Sequence, residues 1–487
     1  MNSLKIFTIF VLFFVLFVEG FIVLSYELQA LRLVMPYAGA GAETAAIVIA
    51  AVLFSLALGY QAGGSFRPIE HAPDLKIRRT IRSKILLNFL IAAPFMTLGS
   101  SYFFVDYFFT EMQRTGIESP LLKVRIYSLV LLAIPVFFLG QTVPLISNYF
   151  SHARISQATG FILLISTLGS LAGALVTTLV LMPQIGVHNA AIVMMAMLFS
   201  ITYVLTPKRR LLRTSYVAIF FLITSVLNSG PLLESQGIVA NNQYHTAIVQ
   251  DTQRFGKVLY LNRAPQSAYK KTTGAKWPYI EFVEDNFIYP ASERLDRKLD
   301  ILVIGAGGFT LGAEDTKNRY VFVDIDSDLK DIAETHILER ELRDNKEFVA
   351  QPARRFLKGH TDRYDLIVLD AYHGASIPDH LVTREFFLSL KNIMKPDSAL
   401  VANFIMSPTF ESTFSRNLYA TFSSVFWPVS RQILGGFDGG VARQEGPEGF
   451  KDKYNVMHLY FDGPGPDEAR IYTDLVNRAA LEVEPAH

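Results

Sequence analysis

The sequence predicts an N-terminal all-α, multi-span transmembrane bundle, followed by a small antiparallel β-sheet and a C-terminal Rossmann-like α/β domain. Three observations carry that prediction. Apolar stretches long enough to cross a bilayer fill residues 1–232. Short strands separated by polar turns occupy 241–295. From 296 to 487, apolar strands alternate with helical patterns, and the first strand runs straight into a glycine-rich turn. A chain of 487 residues has room for these parts as separate domains.

The bundle comes first. Seven apolar stretches run over about 5–28, 44–64, 84–104, 124–147, 156–183, 187–206 and 214–232; a helix needs about 20 residues to cross. The first is too long in its apolar core for a cleavable signal and lacks a small-x-small cleavage site. The last is the weakest. Loop charges set orientation. Lys5, Arg67, Lys76, Arg78, Arg79, Arg82, Lys84, Arg154, Lys208, Arg209, Arg210 and Arg213 fall on one side. Arg32, Arg114, Lys123 and Arg125 fall on the other. The expectation is a cytoplasmic N-terminus and, with seven crossings, a C-terminal domain on the outer face. Glu19, Glu27 and Arg32 lie within or beside the first stretch. Ionisable groups at that depth face protein or water. Glu27 and Arg32 suggest either an interfacial ion pair or the wall of a polar cavity. Gly169 and Gly173 permit close helix contact. Gly140-Gln-Thr-Val-Pro144 interrupts the fourth stretch and predicts a kink or a site wall.

Charge and cysteine content exclude several chemistries. Residues 1–230 hold 16 Lys and Arg against 8 Asp and Glu, and the remainder holds 29 against 36. Neither half is basic enough to suggest a nucleic-acid partner. With no cysteine, there is no disulfide, thiolate nucleophile or thiolate metal site. His336, His360, His380 and His458 are scattered, and no metal-ligand spacing is present.

The small sheet is expected from Tyr244-His-Thr-Ala-Ile-Val249 and Lys257-Val-Leu-Tyr-Leu261. The α/β domain follows, with strands at about 300–305, 320–325, 365–370, 398–404 and 456–461 and helices at about 327–341 and 380–394. A late strand after the Gly/Pro-containing region 428–450 suits a sheet of the S-adenosylmethionine methyltransferase type, which ends in an antiparallel strand. Gly305, Gly307 and Gly308 end the first strand, where glycine lets backbone approach a ligand. Asp324 ends the second, about twenty residues on, where a carboxylate can accept both ribose hydroxyls. A dinucleotide fingerprint would place a third glycine where Thr310 stands. An adenosine ligand without pyrophosphate, such as S-adenosylmethionine, is therefore favoured over NAD. A tight turn capped by Asp324 is the non-binding alternative. Asp370 ends the strand at about 365–370, in Tyr364-Asp-Leu-Ile-Val-Leu-Asp370, and a carboxylate there can orient or deprotonate an amine.

Four stretches resemble spermidine synthase and its aminopropyltransferase relatives over roughly residues 241–430. Asp251-Thr-Gln-Arg-Phe-Gly-Lys-Val-Leu-Tyr-Leu-Asn262, with Gln266 beyond it, is similar to the family hairpin. Tyr279-Ile-Glu281 is similar to its Tyr-His-Glu segment. The glycine turn with Val323-Asp-Ile-Asp326 resembles its cofactor pair. Tyr364-Asp-Leu-Ile-Val-Leu-Asp370, Thr383-Arg-Glu-Phe-Phe387 and Met394-Lys-Pro-Asp397 resemble its later run. The fusion to a membrane half is similar to the membrane-bound spermidine synthase-like proteins of bacteria, which implies a multi-pass protein of the inner (plasma) membrane.

The resemblance implies transfer of a 3-aminopropyl group from decarboxylated S-adenosylmethionine to an amine, with release of methylthioadenosine and no metal. It implies that Gly305, Gly307 and Gly308 shape the cofactor pocket, Asp324 holds the ribose and Gln266 faces the sulfonium. Asp370 would position and deprotonate the amine, while Tyr279 and Tyr372 would line its channel. Glu281 and His373 fall at substrate positions, with Glu284 and Asp285 near by. The chain departs from the family where Pro352 replaces an adenine-binding acid, where His373 replaces a polyamine-binding acid, and at His245. These changes remove electrostatic partners from a diamine. Decarboxylated S-adenosylmethionine or S-adenosylmethionine is the expected co-substrate. The lipid bilayer, a small amine or lipid-linked acceptor, and a second copy of the chain are the expected partners. A repurposed outer-face binding or assembly module is the competing reading. A transporter is weaker, because the seven stretches show no repeat.

Overall fold

A computed structural model describes residues 2–39, 41–66, 74–148, 155–207, 212–372, 377–436 and 454–459. The chain divides into two compact units, residues 1–236 with 241–243, and 237–240 with 244 onward.

The N-terminal unit is helical. Among the described residues, five helices are long and apolar enough to cross a membrane: Ile9–Ala38, Ala42–Gly64, Thr80–Gly99, Pro120–Ser147 and Gln157–Leu205. The last, 49 residues long, is two helices joined at Gly186, whose φ of 79° and ψ of 164° are not helical. That break falls between the two stretches expected at 156–183 and 187–206. Leu212–Leu227 is apolar but shorter. The first helix runs over Asn2–Ala38, ten residues past its expected end, because Gln29-Ala-Leu-Arg-Leu33 are good helix formers. Glu27 and Arg32 are thus inside the helix rather than at its end. The ion pair expected between them is not among those of the described residues. Arg32 instead donates its Nε–H to the Asn242 carbonyl at 2.8 Å. A Cβ at Gly169 or Gly173 would collide with the Phe17 or Phe21 carbonyl, so these glycines do permit close helix contact. The fourth helix breaks at Gln141, and Gly63 packs against Pro144 there.

The second unit contains two sheets. The smaller runs β1 (Ile238–Asn241), β2 (Thr246–Thr252), β3 (Gly256–Leu261), β4 (Ala264–Lys270) and β5 (Ala275–Lys276), in that order. Pairing from β2 to β5 is antiparallel. The larger comprises β6 (Asp300–Ile304), β7 (Arg319–Asp324), β8 (Lys346–Ala350), β9 (Tyr364–Leu369), β10 (Met394–Met406), β11 (Ser430–Gly436) and β12 (Tyr454–Leu459). Its order is β11-β12-β10-β9-β6-β7-β8. Strands β6 to β10 pair in parallel, while β12 lies antiparallel between β10 and β11. This is the Rossmann-like sheet with an antiparallel end that the sequence predicts.

Alternation along the strands sends side chains to two cores. Leu302, Ile304, Ile367 and Leu369 meet Phe386, Phe387, Phe404 and Phe422 on one face. Ile301, Val303, Phe322 and Val368 meet Leu259, Tyr279 and Val283 on the other, so the small sheet covers that face. The chain leaves β6 toward β7 and β8, then returns to place β9 on the opposite side of β6. The carboxyl ends of β6 and β9 therefore flank a topological switch point, where ligands of such sheets bind.

Candidate active site

The turn after β6 is held tightly. Gly305 donates its N–H to the Val323 carbonyl at 2.9 Å, and Asp370 donates its own to Ile304 at 2.8 Å. Gly305 has φ of 97°, and a Cβ there would collide with the Asp370 carbonyl. No other residue accepts both conditions without strain. Gly307 has φ of 50°, and its Cβ would fall 2.7 Å from Ser267 Oγ. Ser267, on β4, accepts the Gly308 N–H at 2.8 Å and so ties the small sheet to the glycine turn. Nothing in the local sequence pattern marks Ser267 beyond its place beside Gln266.

Asp324 closes the turn from the β7 side. Its Oδ2 accepts the Ala306 N–H at 2.9 Å, and its Oδ1 accepts the Asp326 N–H at 3.1 Å. Burial raises its carboxyl above the usual range, and these backbone donors pull it back down. This is the turn-capping geometry that the sequence left open. Asp324 is not among the residues that line either of the two cavities at the site.

Asp370 is the centre of the site. Tyr279 donates its hydroxyl to Oδ2 at 2.7 Å, and Asn403 donates Nδ2–H to Oδ1 at 2.9 Å. Burial pushes the Asp370 carboxyl up, and these two donors oppose it. Burial and the neighbouring Asp370 push the Tyr279 and Tyr372 hydroxyls well above the ordinary tyrosine range, so both stay protonated donors. Tyr372 donates to the Asn403 carbonyl at 2.8 Å and accepts the Ile405 N–H at 2.6 Å, which fixes β10 beside the site.

Two cavities meet at this carboxylate. One is lined by Gly305, Ala306, Gly307, Thr310, Leu311, Phe322, Ser267, Tyr279 and Asp370 among others. The other is lined by Gln266, Trp277, Tyr279, Asp370, Tyr372, Asn403, Asn455 and apolar neighbours. Asp370 and Tyr279 belong to both walls. Of the residues expected at the site, the structure brings together Gly305, Gly307, Gln266, Tyr279, Asp370 and Tyr372, with Gly308 against Ser267. Glu281 is exposed, and its carboxylate accepts the Lys276 N–H at 3.1 Å, outside both walls. His373 lies outside the described residues. Glu284, which sequence reading placed near the substrate, is buried beside Lys276 at 2.7 Å and accepts the Gly312 N–H. Asn403 was missed, although the strand-end rule that found Asp370 reaches it, since Ala402 pairs with Leu369. Asn455 was missed because its register opposite Ile405 is set by β12 pairing, which no local pattern encodes.

No family model matches the chain. By sequence it is 25% identical over 181 residues to the polyamine aminopropyltransferase of Pyrobaculum calidifontis, covering 34% of this chain and 58% of that one. It is 32% identical over 164 residues to the polyamine aminopropyltransferase of Vibrio vulnificus, covering 31% and 49%. The chain resembles the polyamine aminopropyltransferases. It spans about half the length of these curated relatives. Among solved structures, a probable spermidine synthase from Corynebacterium glutamicum superposes with TM-score 0.36 and 19% identity, over 45% of this chain and 76% of that one. The aminopropyltransferase-like sequence thus comes with a glycine turn, an Asp370 at the switch point and a neighbouring cavity rich in polar side chains.

Proposed function

We propose that the chain is a membrane-embedded, aminopropyltransferase-like enzyme that takes decarboxylated S-adenosylmethionine as donor and an amine, free or lipid-linked, as acceptor. One observation carries the reading: a single carboxylate, Asp370, stands in the wall of both cavities. The glycine-turn cavity would take the nucleoside, with Gly305, Gly307 and Gly308 giving close backbone approach and Asp324 reaching the ribose. The second cavity would take the amine. Asp370 accepts a proton from the acceptor ammonium. The freed nitrogen lone pair attacks the aminopropyl methylene carbon bound to the sulfonium; the C–N bond forms as that C–S bond breaks. Its electrons pass to sulfur, and methylthioadenosine leaves as a neutral thioether. Gln266 would lie on the sulfonium side.

The choice of donor follows from charge. Among the described residues, neither wall contains Lys or Arg. The amino-acid carboxylate of S-adenosylmethionine would enter beside Asp370 with no cation to offset it, which disfavours it against the decarboxylated form. The apolar outer surface of the N-terminal helices, with Leu53, Phe54, Leu179 and Leu222 exposed, supports the membrane reading. The charge pattern favours an outer-face C-terminal unit.

A second reading, a repurposed binding module, draws on Pro352, which caps the helix Ala353–Leu357 where a family acid would stand. The test separates the two. The full-length protein in detergent, given decarboxylated S-adenosylmethionine and a mixture of amines, is expected to release methylthioadenosine. Asp370→Asn is expected to slow that release by about 10²-fold or more while the nucleoside still binds. Wild-type protein that binds the nucleoside but never releases methylthioadenosine would favour the module.

A further inference from the structure

The larger cavity has an unusual set of polar atoms for an amine site. Among the described residues of its wall, Asp370 is the only ionisable group apart from the two tyrosines. Two amide oxygens accompany it. Asn403 Oδ1 and Asn455 Oδ1 are buried without a hydrogen-bond partner. The Asn403 assignment is fixed by chemistry: a carboxylate only accepts, so Nδ2 must face Asp370 and Oδ1 is the free acceptor. Buried acceptors are rarely left unmade, and each such group points to a missing donor. The rest of the wall is the uncharged Gln266 with Pro265, Trp277, Pro278, Ile405 and Leu434.

Resting on the transferase reading, we propose that the acceptor is an amine with a single cationic head and an uncharged, largely apolar body, and that Asn403 and Asn455 set this specificity. An ammonium carries three N–H donors and no acceptor. One carboxylate and two amide oxygens match one such head. Among the described residues of the wall no second carboxylate stands ready for a second ammonium on the same molecule, and an unpaired buried charge is strongly disfavoured. The wall therefore discriminates against diamines by what it lacks and favours monoamines by the two amides it supplies.

The test uses full-length protein in detergent, loaded with methylthioadenosine and titrated calorimetrically with 1-aminopentane and with 1,5-diaminopentane. The monoamine is expected to bind at least about tenfold more tightly, a difference of about 1.4 kcal/mol. Asn455→Asp, which adds a second carboxylate, is expected to move that ratio toward the diamine by about tenfold. Diamine binding equal to or tighter than monoamine binding, or no binding of either amine to the loaded protein, overturns the inference. An unchanged ratio in Asn455→Asp overturns the role of that residue. Absence of heat from methylthioadenosine itself would instead overturn the transferase reading beneath it.

Discussion

Burial holds the Asp370 carboxyl above the ordinary carboxylate range, while Tyr279 and Asn403 draw it back down through hydrogen bonds. A general base acts only in its ionised form, so activity must fall as pH drops through that raised value. Removing Tyr279's hydroxyl takes away one of the two opposing donors. Tyr279→Phe is therefore expected to move the acidic limb of the kcat/KM profile to higher pH and to lower the plateau by about tenfold. A pH–rate series on both proteins checks this, and an unmoved limb would remove Tyr279 from control of the base. At this scale the sequence was informative where chemistry sits at strand ends. Gly305 and Asp370 were legible because parallel strands present their carboxyl ends to a crevice. Ser267 was not, because it meets Gly308, 41 residues along the chain, on a different sheet; nor was Asn455, because antiparallel pairing of β12 sets its register.

Among the elements, the Lys276–Glu284 pair ties three pieces of chain together. Lys276 ends β5, Glu284 follows the helix Pro278–Val283, and Glu284 Oε1 accepts the Gly312 N–H at 2.6 Å just past the glycine turn. Both side chains are nearly fully buried, at 4% and 6% exposure. Removing one partner leaves an uncompensated charge, so Lys276→Met is expected to destabilise the fold by about 3–5 kcal/mol. Lys276→Met with Glu284→Met is expected to recover most of that loss, as read by chemical unfolding. A double variant no more stable than the single one would show that the pair acts through something other than its charge. The pattern of strands was largely legible, since β6, β7, β9 and β10 are apolar runs between turn residues. Strand β8 was not, because Lys346 and Glu347 open it and it lies at the sheet edge, half exposed. The helix expected over 327–341 is shorter, Leu329–Ile332 continued by one π-helical turn through Ile337.

For the whole molecule, the open quantity is the number of crossings. The charge distribution predicts a cytoplasmic N-terminus, and the proposed outer-face C-terminal unit then requires Leu212–Leu227 to cross. That helix has 16 residues, a rise of about 24 Å, and must span a hydrocarbon core of about 30 Å. A reporter fused to the C-terminus is expected to be active only outside the cytoplasm. Cytoplasmic activity would mean six crossings and a C-terminal unit on the side where adenosine cofactors are made. The long apolar helices were legible from apolar length alone. The polar interior, with Asn88 donating to Gln141 and Arg32 donating to Asn242, was not, because each partner lies far along the chain.

Calorimetric titration of the full-length protein with decarboxylated S-adenosylmethionine, S-adenosylmethionine and methylthioadenosine tests the nucleoside cavity most directly. Saturable heat is expected from the first and the last, with weaker binding of S-adenosylmethionine. No heat from any of the three would contradict a cofactor seat at the β6 turn, leaving a sheet of this shape without a ligand.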